Sequence, residues 1–134
     1  MNHKTYISIA DTIGKESKCK RRKVGAILVK NGNIIAFGYN GTPSGFCNDC
    51  EDENGVTKLE VLHAESNAIA KCSKGSQSSK NSDLYVSLSP CINCAKMIIQ
   101  AGIVNVYYQD VYRDVSGLDL LKKAGINCNQ IELY

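Results

Sequence analysis

The chain has 134 residues, 16 basic and 13 acidic side chains for a formal net charge of +3, and 43% hydrophobic residues. That length suits a single domain over residues 1–134 with one buried core, and so small a net charge argues against a polynucleotide partner. No stretch reaches the roughly 18 to 20 apolar residues that cross a bilayer, and the N-terminus lacks the apolar segment of a secretion signal, so no membrane partner and a cytoplasmic location are expected.

The apolar spacing from Tyr6 to Ile13 predicts a first helix. Val24 to Val29 and Ile34 to Tyr39 are apolar runs separated by Asn31-Gly32-Asn33; Asn-Gly between such runs signals an antiparallel hairpin. From Gly38 to Gly55 the chain carries glycines, Pro43 and the carboxylates Asp49, Glu51, Asp52 and Glu53, an irregular loop too long to be a mere connector. Leu62 to Cys72 predicts a second helix, Ser73 to Ser82 a polar surface loop, and the alternation around Leu84, Val86 and Leu88 a third strand. Ser89-Pro90 suits a helix start, with serine as cap and proline in the first turn, and Gly102 suits its stop. Val104 to Tyr108 predicts a fourth strand, Ser116 to Ala124 a further helix and Asn127 to Leu133 a last strand. Strands joined through helices run parallel, so the expected architecture is α/β: three α-β-α layers around a five-stranded mixed sheet.

Two short segments carry the chemistry. His63-Ala64-Glu65 opens one predicted helix and Pro90-Cys91-Ile92-Asn93-Cys94 opens another. One imidazole and two thiolates fill three of the four tetrahedral positions that zinc favours, leaving the fourth for water, which marks a reactive rather than a structural site. Helix N-termini favour thiolate over thiol at Cys91 and Cys94. Glu65 stands where a carboxylate can move the protons of that water, and His-x-Glu followed by Pro-Cys-x-x-Cys is the signature of zinc deaminases. The seven cysteines, an odd number, read as metal ligands plus spare thiols rather than a disulfide framework. Cys47 and Cys50 form a second Cys-x-x-Cys pair. A four-thiolate site with Cys91 and Cys94 needs a far longer spacing than the common pattern and leaves His63 and Glu65 unexplained. A second, structural zinc with Cys19, or ordinary thiols, are the remaining readings; ordinary thiols are preferred because His3 is the only other histidine.

Gly38 to Gly45 (GYNGTPSG), His63 to Ile69 (HAESNAI), Ser89 to Lys96 (SPCINCAK) and Ile99 to Ile103 (IQAGI) together resemble the deoxycytidylate (dCMP) deaminase family, within the cytidine-deaminase-like zinc enzymes. The likeness runs in the same order over roughly residues 5 to 126, and the Gly-Tyr-Asn-Gly stretch is characteristic of the dCMP branch. It implies a five-stranded sheet flanked by helices, a bound Zn2+, hydrolysis of dCMP to dUMP, and a homo-hexamer activated by dCTP and inhibited by dTTP. It also implies that Asn40 holds the deoxyribose hydroxyl. Glu65 is then expected to accept the water proton and deliver it to ring atom N3, and the same carboxyl to protonate the departing amine. The phosphate candidates are Arg22 with Arg21 and Lys23, and Arg113, since a guanidinium binds phosphate as a bidentate fork. The loop after Asn40 is the expected effector site, with Gly41, Thr42 and Gly45 bringing backbone amides to phosphates and Asp49 a carboxylate for an accompanying Mg2+.

Three other readings compete. A nucleoside deaminase shares the zinc but has no use for the basic cluster. A polynucleotide deaminase wants a broad basic or aromatic surface, against seven tyrosines, two phenylalanines and no tryptophan here. A non-enzymatic zinc module predicts no water at the metal and no deamination.

Overall fold

The structure, a computed structural model, describes residues 1–133. Helix α1 (His3–Gly14) precedes strands β1 (Gly25–Lys30) and β2 (Asn33–Tyr39). Helix α2 (Ala64–Ser73), strand β3 (Asp83–Leu88), helix α3 (Ile92–Gln100), strand β4 (Asn105–Asp110), helix α4 (Ser116–Lys123) and strand β5 (Asn127–Gln130) then alternate. The sheet order is β2-β1-β3-β4-β5, the five-stranded mixed sheet expected from the sequence. Helix α1 begins earlier than the apolar spacing suggests because Asn2 Oδ1 accepts from Thr5 N at 2.9 Å and caps it.

Asn31 and Gly32 both take left-handed backbone, with φ of 52° and 78°, the conformation that a type I′ hairpin turn demands at its two central residues. β1 is antiparallel to both β2 and β3, whereas β3–β4 and β4–β5 are parallel. β1 therefore runs against the direction shared by the other strands. Its side chains alternate between two apolar layers. Ile27 and Val29, with Tyr85 of β3, are covered by Tyr6, Ile7 and Ala10 of α1. Ala26 and Leu28, with Leu84 and Val86, lie under Ala68 of α2, Ile98 of α3 and Leu121 of α4.

This arrangement positions the site. Because β2 and β3 point the same way on either side of β1, the helices that follow them, α2 and α3, both start at the edge of the sheet where β1 begins. α2 also lies directly on β2: a Cβ added to Gly38 would stand 2.5 Å from Ala68 N and 2.8 Å from Ala64 O.

Both helix starts fall later than the sequence suggests. Leu62 exchanges backbone hydrogen bonds with Gly41 (3.1 and 2.7 Å), which keeps it extended and leaves His63 at the N-cap of α2. Ser89 does not cap α3. Its N–H donates to Asp110 O at 2.9 Å and its hydroxyl accepts from Tyr112 N at 2.7 Å, so the chain stays extended through Pro90 and Cys91 takes the N-cap. The stop at Gly102 holds, with φ of 79° and an Ile103 N to Ile98 O bond of 3.4 Å. β5 ends at Gln130, short of the expected Leu133. No helix among the described residues is long and apolar enough to cross a membrane.

Candidate active site

His63 at the start of α2 and Cys91 and Cys94 at the start of α3 meet where the two helices begin. His63 Nδ1 lies 3.4 Å from Cys91 Sγ and 3.3 Å from Cys94 Sγ, and the three ligand atoms lie within 4.8 Å of one another. A tetrahedral zinc, with roughly 2.0–2.1 Å to nitrogen and 2.3 Å to sulfur, sets its nitrogen and sulfur ligands about 3.6 Å apart. The donor set therefore fits that ion in type and in spacing. Among these groups themselves, hydrogen bonds from Cys94 and His63 pull the Cys91 thiol down to about 3. The hydrogen bond with Cys91 in turn holds the His63 imidazole above its usual range. Cys94 is pushed up by its bond to Cys91 and by burial. Protons compete for this cluster, and a divalent cation releases them as it binds.

Glu65, in the first turn of α2, is 4% exposed. Burial pushes its carboxyl up to about 7, well above the usual carboxylate range and close to neutrality, where an acid/base group works best. Glu65, His63 and Cys91 line one cavity of about 480 Å³. Arg21, Arg22, Asn40 and Arg113 line it too, so the structure gathers the metal candidates, the acid/base candidate, the asparagine and three of the four basic candidates. Lys23 is not part of that lining. Arg22 is engaged with Asp110 at 2.8 Å, both side chains about half exposed, and an ion pair of that kind contributes only about 0–1 kcal/mol. Asn40 Oδ1 accepts from Val24 N at 2.9 Å and its Nδ2 donates to Arg22 O at 2.7 Å. The amide, which lines the cavity, thus fixes the edge of β1 and retains one further N–H and one further lone pair.

The loop residues expected to meet an effector lie elsewhere. Gly41, Thr42, Gly45 and Asp49 are absent from the cavity lining; Gly41 is bridged to Leu62, and Asp49 Oδ2 takes the Cys47 thiol at 3.6 Å. From this loop the cavity draws Glu51, Thr57 and Val61 instead. Glu51 accepts from Lys20 N at 3.1 Å and Arg21 N at 3.3 Å, clamping the basic segment to the loop. Cys19 and Cys50 correct the cysteine reading: they form a disulfide, both buried, and Cys47 stays free and exposed. The folded loop brings their Cα atoms to 5.1 Å, a separation that a disulfide spans and that sequence spacing does not reveal. Among the described residues, the group of His63, Cys91 and Cys94 alone has the geometry for a metal ion.

Residues 1–110 match the family model for the cytidine and deoxycytidylate deaminase zinc-binding region. The chain belongs to this family. Its relatives include ComE operon protein 2 of Bacillus subtilis, 37% identical over 96% of this chain and 70% of the relative. The deoxycytidylate deaminase of Enterobacteria phage T4 is 34% identical over 94% of this chain and 88% of its own length. Among solved structures, the dCMP deaminase of cyanophage S-TIM5, in complex with dCMP and dUMP, superposes with a TM-score of 0.93 at 49% identity, covering 95% of this chain and 94% of that one. The zinc-binding deaminase family and the three-ligand group thus agree on the metal.

Sequence reasoning missed part of the cavity wall: Val111 and Tyr112 beside Arg113, and Glu51, Thr57 and Val61. The first group had an available signal, since ligands in such sheets bind beyond the carboxyl ends of the strands and these residues follow β4. The loop residues had none, because their place depends on a path with little regular structure.

Proposed function

We propose that this chain is a dCMP deaminase, hydrolysing dCMP with water to dUMP and ammonia and so supplying dUMP for pyrimidine deoxynucleotide synthesis. The observation that carries the reading is the buried Glu65 carboxyl opening with His63 and Cys91 onto a cavity that three arginines also line. His63 Nδ1 and the Cys91 and Cys94 sulfurs would hold a Zn2+, which would supply Lewis-acid activation of the attacking water. Glu65 takes a proton from that water and delivers it to N3 of the cytosine ring, which makes C4 electrophilic. Hydroxide then adds to C4, and the same carboxyl takes the proton of the new C4 hydroxyl and passes it to the amine, which leaves as ammonia as the C4–N bond breaks and the C4 carbonyl forms. The raised pKa of Glu65 suits a group that must both accept and donate near neutral pH. Arg113, Arg21 and Arg22 are the phosphate candidates, and Arg22 reaches the phosphate by exchanging its exposed partner Asp110. Asn40 offers its remaining N–H and lone pair to the sugar hydroxyl.

Regulation belongs to the same reading, with dCTP activating and dTTP inhibiting through Gly41, Thr42, Gly45 and Asp49, with Mg2+ beside the triphosphate, in a cytoplasmic homo-hexamer whose subunits each act as a single catalytic domain. The family likeness and the glycines of that loop support it. One ultraviolet assay on zinc-loaded protein tests substrate and regulation together. Turnover of dCMP should exceed that of deoxycytidine by at least about tenfold, the value of one or two charge-assisted hydrogen bonds, and should rise with dCTP and fall with dTTP. Equal rates on the two substrates reject phosphate recognition, and a rate flat in both triphosphates rejects the regulation. Light scattering reads the assembly, and a monomer rejects the hexamer.

A further inference from the structure

The two thiolate candidates are not equivalent. The two sulfurs share a hydrogen bond and each meets His63 Nδ1, Cys91 at 3.4 Å and Cys94 at 3.3 Å, but Cys94 Sγ also meets the Ser66 hydroxyl at 3.5 Å. Cys91 lines the cavity, while Cys94 is 2% exposed. A buried sulfur anion needs a donor near it, and water from the cavity serves Cys91 better than Cys94. Ser66 is half-buried in the first turn of α2, and Cys94 is in the first turn of α3, so their contact joins the two helices that carry the metal ligands. A helical serine ordinarily turns its hydroxyl back to a carbonyl one turn earlier. Here the carbonyls of Leu62 and His63 already accept from Gly41 N at 3.1 Å and Asn67 N at 3.0 Å, and the hydroxyl goes to the sulfur. As a metal ligand Cys94 has no proton to give, which makes Ser66 the donor.

We infer that Ser66 is a positioning residue of the metal centre: it donates a hydrogen bond to the Cys94 thiolate, draws charge from that sulfur and locks the spacing of α2 and α3 around the ion. This rests on the reading of His63, Cys91 and Cys94 as a zinc site, and the test separates the two. Ser66→Ala and Ser66→Thr are compared with the wild type in the folded protein for zinc affinity, by chelator competition, and for the thiolate-to-metal charge-transfer band after cobalt(II) substitution. Removing the hydroxyl should weaken zinc about tenfold, as loss of an outer partner of a ligand does, and should move the band to lower energy, because an unbonded thiolate gives up its electron more readily. Ser66→Thr keeps the hydroxyl and should hold both near wild type. An unchanged affinity and band in Ser66→Ala overturns the inference, as does an equal change in both variants, which marks packing rather than donation. A wild type that takes up neither zinc nor cobalt overturns the site reading itself.

Discussion

At the scale of single residues, the proposed mechanism divides the labour of the cluster between holding and proton transfer. His63, Cys91 and Cys94 place ligand atoms at spacings that suit a tetrahedral zinc, and Glu65 lies outside that group. Burial raises its carboxyl, so it exchanges a proton with a neutral partner at little cost. Glu65→Gln keeps the shape and the hydrogen-bonding capacity but ends that exchange. The variant should bind zinc as the wild type does and lose roughly 10²–10⁴-fold in kcat, the usual weight of a positioned acid/base. Metal analysis together with steady-state rates checks this, and full activity with bound zinc would remove Glu65 from the mechanism. The sequence could name Glu65 and the three ligand candidates because each half of the motif is local and the residue types suggest the chemistry, and the fold brings the three candidates together.

At the scale of elements, the site depends on how closely α4 sits against the start of α3. A Cβ added to Gly117, in the first turn of α4, would stand 2.2 Å from Pro90 O and 2.7 Å from the Cys91 carbonyl carbon. Those are backbone atoms of the segment that presents the first cysteine ligand, and they have no side-chain freedom to give way. Gly117→Ala should therefore displace Cys91, cost about 1–3 kcal/mol as overpacking does, and lower the zinc content per chain. Ser116→Ala, one position earlier, serves as the control. Thermal unfolding and metal content read the two effects, and a fully zinc-loaded Gly117→Ala of wild-type stability would contradict the packing. In sequence Gly117 is one more glycine near a helix start. The element order was legible because apolar periodicity and Asn31-Gly32 act locally, but the helix starts were not. Leu62 and Ser89 are held extended by Gly41, Asp110 and Tyr112, partners distant in sequence that outweigh local helix preference.

At the scale of the whole molecule, the basic segment, the long loop and the sheet edge are tied into one wall around the cavity. The Cys19–Cys50 disulfide and the Glu51 contacts to Lys20 and Arg21 do this from one side, and Asn40 does it from the strand. A cross-link over a sequence separation of 31 restricts the unfolded chain by roughly 3–4 kcal/mol. Alkylation of the metal-free chain, unfolded without reductant, should label five of its seven cysteines, and all seven only after reduction. Labelling of all seven without reductant would show Cys19 and Cys50 to be separate thiols.

The sequence by itself determined the α/β order of elements, and it singled out His63, Cys91 and Cys94 as zinc-ligand candidates and Glu65 as the acid/base candidate. These follow from periodicities of a few residues and from side chains whose chemistry is fixed by type. Only the tertiary structure decided that Cys19 pairs with Cys50, that Arg21, Arg22 and Arg113 share one cavity while Lys23 does not, and that Ser66 faces Cys94. Each is a distance across the fold, set by the path of the chain between the residues, and that path is the sum of many weak contacts that no single segment encodes.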